Sequence, residues 1–165
     1  MTDTLFTHLS SEGGARLVDV AEKGSATRTA VAAGRVQVGA EAARLIAEGS
    51  VRKGDVFSVA QIAGILGAKQ TSRLIPLCHD VQVKGVEVTL ELDEVGNAVD
   101  VRAFVKTVGE TGVEMEALTA VSVASLTVYD MCKSINKEIA ISDIRLLAKT
   151  GGQSGDYLRP AEDGR

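Results

Sequence analysis

Four groups of residues carry side chains able to move protons or hold charge. Asp130 and Lys133 stand three apart in a segment of helical apolar spacing, so they share one face. A carboxylate beside an amine can move protons on and off nitrogen and carbon. The same spacing also describes a plain surface ion pair, which is the commoner use. Asp130 nonetheless stands near a helix C-terminus, where the dipole disfavours an anion. Glu114 and Glu116 open that segment, either as dipole partners or as functional carboxylates. Cys78-His79 follows Pro76 between regular elements, a usual place for a functional side chain. Neighbours in an extended segment face opposite sides, which weakens a Cys–His nucleophile pair. The remaining Cys and His are Cys132 and His8, without CxxC or HxxxH spacing, so no metal ligand set is assigned. Arg28, Lys53, Lys69, Arg73 and Lys149 sit beside turns or element ends, where a cation meets an anionic ligand or is simply solvated. Gly54 and the Gly151–Gly155 loop suit a phosphate, but neither matches GxGxxG or the Walker pattern.

These residues need elements to hold them. A strand is expected over Thr27 to Val31, and helical spacing runs from Val36 to Ala47, stopping at Gly49. Asp55 is placed as the N-cap of a helix from Val56 to about Lys69. Gly64 and Gly67 inside it point to close approach by a neighbour. Val86 to Leu92 and Val99 to Val105 alternate apolar with polar residues across a turn at Asp93 to Asn97, an antiparallel hairpin with one wet face. Thr111 to Glu114 has capping-box spacing and opens the longest helix, to about Asn136. Its apolar stripe is Ala117, Ala120, Val121, Ala124, Val128, Met131 and Ile135. A last strand spans Ile139 to Ala148. The sum is an α+β domain: an antiparallel sheet with helices packed on one face. It occupies residues 1–155 with a flexible N-terminal arm, and 156–165 form a polar, disordered tail.

Composition narrows the function. The chain has 165 residues, enough for one domain with a real core. Its net charge of −4 and 3% aromatic content argue against a nucleic-acid polymer as partner. Two cysteines make no disulfide framework, no run suits a bilayer, and a secretory start is missing, so a cytoplasmic setting is expected.

Leu74-Ile-Pro-Leu-Cys-His79, Lys53-Gly-Asp-Val56, Thr111-Gly-Val-Glu-Met-Glu-Ala-Leu-Thr119 and Leu126-Thr-Val-Tyr-Asp-Met-Cys-Lys133 occur in one chain. Together they resemble the MoaC family of molybdenum-cofactor biosynthesis, from about Leu17 to Gly155. The resemblance implies a ferredoxin-like fold and a lyase that converts 3′,8-cyclo-7,8-dihydroguanosine 5′-triphosphate to cyclic pyranopterin monophosphate with release of diphosphate. It implies a hexamer built as a trimer of dimers, with active sites between subunits. Asp130, Lys53 and Lys133 are the implied catalytic residues. Leu77, Cys78, His79, Met115 and Glu116 line the substrate, with Glu114, Arg28, Lys69 and Lys149 as supporting pocket residues. No resident cofactor is implied, and magnesium can arrive bound to the triphosphate. Lys53, His79, Lys133 and Arg28 are expected to converge on one nucleotide. Glu116 and Asp130 are about 21 Å apart on a straight helix, so a pocket using both needs two chains. Two positions depart from the family pattern: Asp80 replaces a usual proline, and Gln153 replaces a usual lysine. The alternatives are a metal-dependent nucleotide hydrolase using Cys78, His79 and Cys132, marked by stoichiometric zinc, and a non-catalytic nucleotide binder.

Overall fold

The computed structural model describes Asp19 and residues 24–160, so the expected N-terminal arm and the last five residues of the tail lie outside the described residues. The elements are β1 (Ala26–Gln37), α1 (Ala40–Ala47), α2 (Val56–Lys69), α3 (Thr71–Leu74), β2 (Val83–Asp93), β3 (Ala98–Gly109), α4 (Glu114–Cys132), β4 (Ala140–Thr150) and β5 (Tyr157–Leu158). The strands form one sheet in the order β2-β3-β1-β4-β5, and every neighbouring pair is antiparallel. Without β5 this is the β-α-β-β-α-β weave of the ferredoxin-like α+β fold.

α2 and α4 lie side by side over one face of the sheet. Alternation on β3 buries Val99, Val101, Ala103 and Val105 beneath them and leaves Phe104 and Val108 on the open face. The α4 stripe from Ala117 to Met131 is buried as its period requires. The two helices approach closely because α2 presents glycines. A Cβ at Gly64 would lie 3.0 Å from the Ala120 carbonyl oxygen, and one at Gly67 would lie 2.8 Å from Val123 Cγ2. Since Gly64 meets Ala120 and Ala124 while Gly67 meets Thr119 and Val123, the helices run antiparallel. The start of α2 therefore sits beside the end of α4.

Four expectations are corrected. Val36 and Gln37 belong to β1, paired with Val99 and Ala98, and α1 begins only at Ala40. Their small apolar spacing fits both periods, and Gly39 at φ 84° turns the chain between the two elements. Thr111 is not a cap: Val113 precedes α4, and no side chain caps the helix. That helix ends at Cys132, so Ile135 packs on the core from outside it. The tail is not wholly irregular, because Tyr157 pairs with Lys149 and Leu158 with Ala148.

Candidate active site

The turn before α2 presents Lys53. Asp55 follows it, and its carboxylate accepts from the amides of Phe57 at 3.0 Å and Ser58 at 3.2 Å, which starts the helix there. Antiparallel packing then delivers Lys53 to the last turn of α4. Its ammonium donates to Asp130 Oδ2 at 2.7 Å and to the Asp130 carbonyl at 2.6 Å. Lys133 Nζ reaches Asp130 Oδ1 at 2.6 Å. One carboxylate is thus shared between two ammonium groups. Bonds from Lys133 and Lys53 hold the Asp130 carboxyl down at about 2, and Asp130 holds Lys133 above its ordinary value. The two cations also answer the misplaced anion at the helix end, and Lys53 ties down a terminal carbonyl. All three side chains are open to solvent.

A second group lies at the opposite end of α4. There a cleft of about 470 Å³ is lined by Arg28 from β1, Leu77, Cys78 and His79 from the segment before β2, and Glu114, Met115 and Glu116 from the first turn of α4. Lys149 of β4 closes it, pairing with Glu114 at 3.0 Å and lying 3.3 Å from Ser154 Oγ. Arg28 is only 5% exposed, and its Nε donates to the Gly109 carbonyl at 2.8 Å. Glu116 is 4% exposed, and burial, with Glu114 nearby, pushes its carboxyl up to about 7. Burial raises the Cys78 thiol, with Glu116 adding to the effect, and burial raises the Cys132 thiol too. At both cysteines burial favours the thiol, the less nucleophilic form, over the thiolate. Among the described residues no three His, Cys, Asp or Glu side chains are grouped to hold a metal ion.

The structure therefore divides the sequence-derived residues in two. Eight of them line the cleft, and Asp130, Lys53 and Lys133 form the cluster. The expected convergence of Lys53 and Lys133 with His79 and Arg28 does not occur within the described residues of one chain. Lys69, the last residue of α2, lines neither place. Asp80, beside His79, accepts from Ser72 Oγ at 3.1 Å. Sequence reasoning passed over Thr29 and Thr150, whose hydroxyls meet at 2.7 Å in the cleft wall. Their signal was a register pairing of β1 with β4, which no local pattern reveals. The 150–155 loop, noted for its glycines, does cover the cleft. A Cβ at Gly151 (φ 78°) would collide with the Thr27 carbonyl oxygen, so only glycine lets the loop pass.

Comparison with known proteins bears on both halves. The profile of the MoaC family matches residues 17–152, which take in the cluster and all of the cleft lining but Gln153 and Ser154. The chain belongs to the MoaC family. It is 60% identical over 158 residues to the cyclic pyranopterin monophosphate synthase of Salinibacter ruber, covering 96% of this chain and 93% of that one. The Heliobacterium modesticaldum protein of that name is 55% identical over 154 residues, 93% of this chain and 97% of its own. The Thermoanaerobacter pseudethanolicus protein of that name is 53% identical, with 93% and 98% covered. No helix among the described residues is long and apolar enough to cross a membrane.

Proposed function

We propose that this MoaC-family chain is a lyase that rearranges 3′,8-cyclo-7,8-dihydroguanosine 5′-triphosphate into cyclic pyranopterin monophosphate and diphosphate, in molybdenum-cofactor biosynthesis. The observation that carries the chemistry is the Asp130 carboxylate held between two lysine ammoniums. With its carboxyl at about 2, Asp130 is a poor base at rest, and proton donation falls first to Lys133 and Lys53. Once a lysine turns to a substrate phosphate, Asp130 loses a partner and becomes a better acceptor. In the cleft, Arg28, His79 and Lys149 supply donors for phosphate oxygens, while Leu77, Cys78, Met115 and Glu116 enclose the ring system. The reading needs no resident cofactor; magnesium enters bound to the triphosphate, and the enzyme works in the cytoplasm with the nucleotide pool.

The two halves lie about 21 Å apart along α4, too far for one small substrate, so we assign each working site to two chains: a cluster from one and a cleft from the other. Val59, Ile62 and Leu66 on α2 and Leu126 on α4 are exposed in the single chain and support association into the hexamer.

The decisive assay is incubation with the cyclised GTP derivative and detection of the pyranopterin and diphosphate. Asp130→Asn should abolish turnover and keep substrate binding; unchanged turnover would refute its role. Lys53 and Asp130 belong to the same cluster in one chain, so complementation must pair a cluster variant with a cleft variant. Asp130→Ala mixed with Glu116→Ala should recover part of the activity, and no recovery would overturn the shared site.

A further inference from the structure

Leu77, Cys78 and His79 line the cleft yet belong to no helix or strand, since the chain from Ile75 to Gln82 is irregular. Outside every ladder the segment keeps one backbone bond of its own, from the Cys78 amide to the Ile75 carbonyl at 3.1 Å, and side chains supply further anchors. Upstream, Thr71 is fully buried, and its hydroxyl donates to the Ala68 carbonyl at 3.0 Å, seating α3 on the end of α2. Across the segment, Ser72 Oγ donates to Asp80 Oδ1 at 3.1 Å. Downstream, Thr107 Oγ1 donates to the Gln82 carbonyl at 2.8 Å.

Thr107 is the informative member. It continues the buried row Val99, Val101, Ala103 and Val105 on β3, where every other side chain is apolar. Its register partners are Arg28 on β1 and Val83 on β2. A valine would fill that place with nearly the same shape. The hydroxyl is instead spent on a loop carbonyl, in the row that carries the arginine of the cleft. Neither Thr107 nor Asp80 lines the cleft.

We propose that Thr107 and Asp80 are positioning residues: Thr107 by gripping the Gln82 carbonyl, and Asp80 by closing the loop onto Ser72, together fix Leu77-Cys78-His79 in the pose that receives substrate. This rests on the functional reading of the cleft. The test compares Thr107→Val, Thr107→Ser, Asp80→Ala and Asp80→Asn in the full chain. Amide hydrogen exchange over residues 77–82, KM and kcat for the cyclised GTP derivative, and the melting temperature are measured for each.

Loss of one hydrogen bond should make Thr107→Val and Asp80→Ala exchange about fivefold faster in that segment and raise KM about fivefold. The kcat and melting temperature should hold, because Gln82 is exposed and its carbonyl can turn to water. Thr107→Ser and Asp80→Asn keep the donor and the acceptor and should restore both readouts. Unchanged exchange overturns the proposal. So does a KM rise accompanied by a falling kcat and melting temperature, which marks general loosening. If the unsubstituted protein makes no pyranopterin, the functional reading fails, while exchange still judges the brace.

Discussion

Glu116 gives the sharpest physical test of the cleft. It is 4% exposed, and burial moves its carboxyl from the ordinary 4.5 to about 7. Between those values the folded chain holds a proton that the unfolded chain releases. The group's contribution to stability is therefore complete below about pH 4.5 and is lost as pH rises through about 7. At about 1.4 kcal/mol per pH unit, the shift amounts to about 3 kcal/mol. Glu116→Gln keeps the shape and cannot ionise, so it lacks this component. Urea unfolding of both proteins, at one protein concentration from about pH 4.5 to 8, isolates it. The stability of the native chain relative to the variant should fall by about 3 kcal/mol over that range, or roughly 1.5 M in midpoint at a slope of about 2 kcal/mol/M. Curves that run parallel across the range would refute the reasoning, because Glu116 would then ionise equally in both states.

Three further outcomes follow from described contacts. In Lys53→Met or Lys133→Met, the Asp130 carboxyl should rise from about 2 toward its ordinary 3.8, read by carbon NMR titration; an unmoved value contradicts the shared-carboxylate geometry. Gly67→Ala gains helix propensity of about 1 kcal/mol but forces a methyl to within 2.8 Å of Val123. A net loss of about 1 kcal/mol, and a melting temperature lower by about 3 °C, is expected, whereas a rise would show that the helices can part freely. Asp55→Ala should lower the melting temperature by a few degrees and Asp55→Ser should not, since serine still caps; equal effects would deny the cap.

The sequence was most legible where one local rule acted alone. α2 has the expected ends because Asp55 caps it and two glycines mark its contact face. The β2–β3 hairpin follows from clean alternation. Legibility failed where small residues satisfied two periods, as at Val36, and where a capping box had the spacing without the geometry, as at Thr111. Both halves of the site were visible as residues through the family motifs. Their division between the two ends of α4 followed from helix length. The walls contributed by Thr29, Thr150 and the pinned Gly151 loop depend on strand register and a close crossing, which are tertiary facts.

Gly64 and Gly67 fix more than the spacing of two helices. They act as a ruler, because a slip of α2 by one turn along α4 would move Lys53 about 5.4 Å, twice its 2.7 Å reach to Asp130. The alignment of Lys53 with Asp130 is thus written into two residues that have no side chains and lie outside both the cluster and the cleft lining. Drift at those notches would part Lys53 from Asp130 while every residue of the cluster kept its identity.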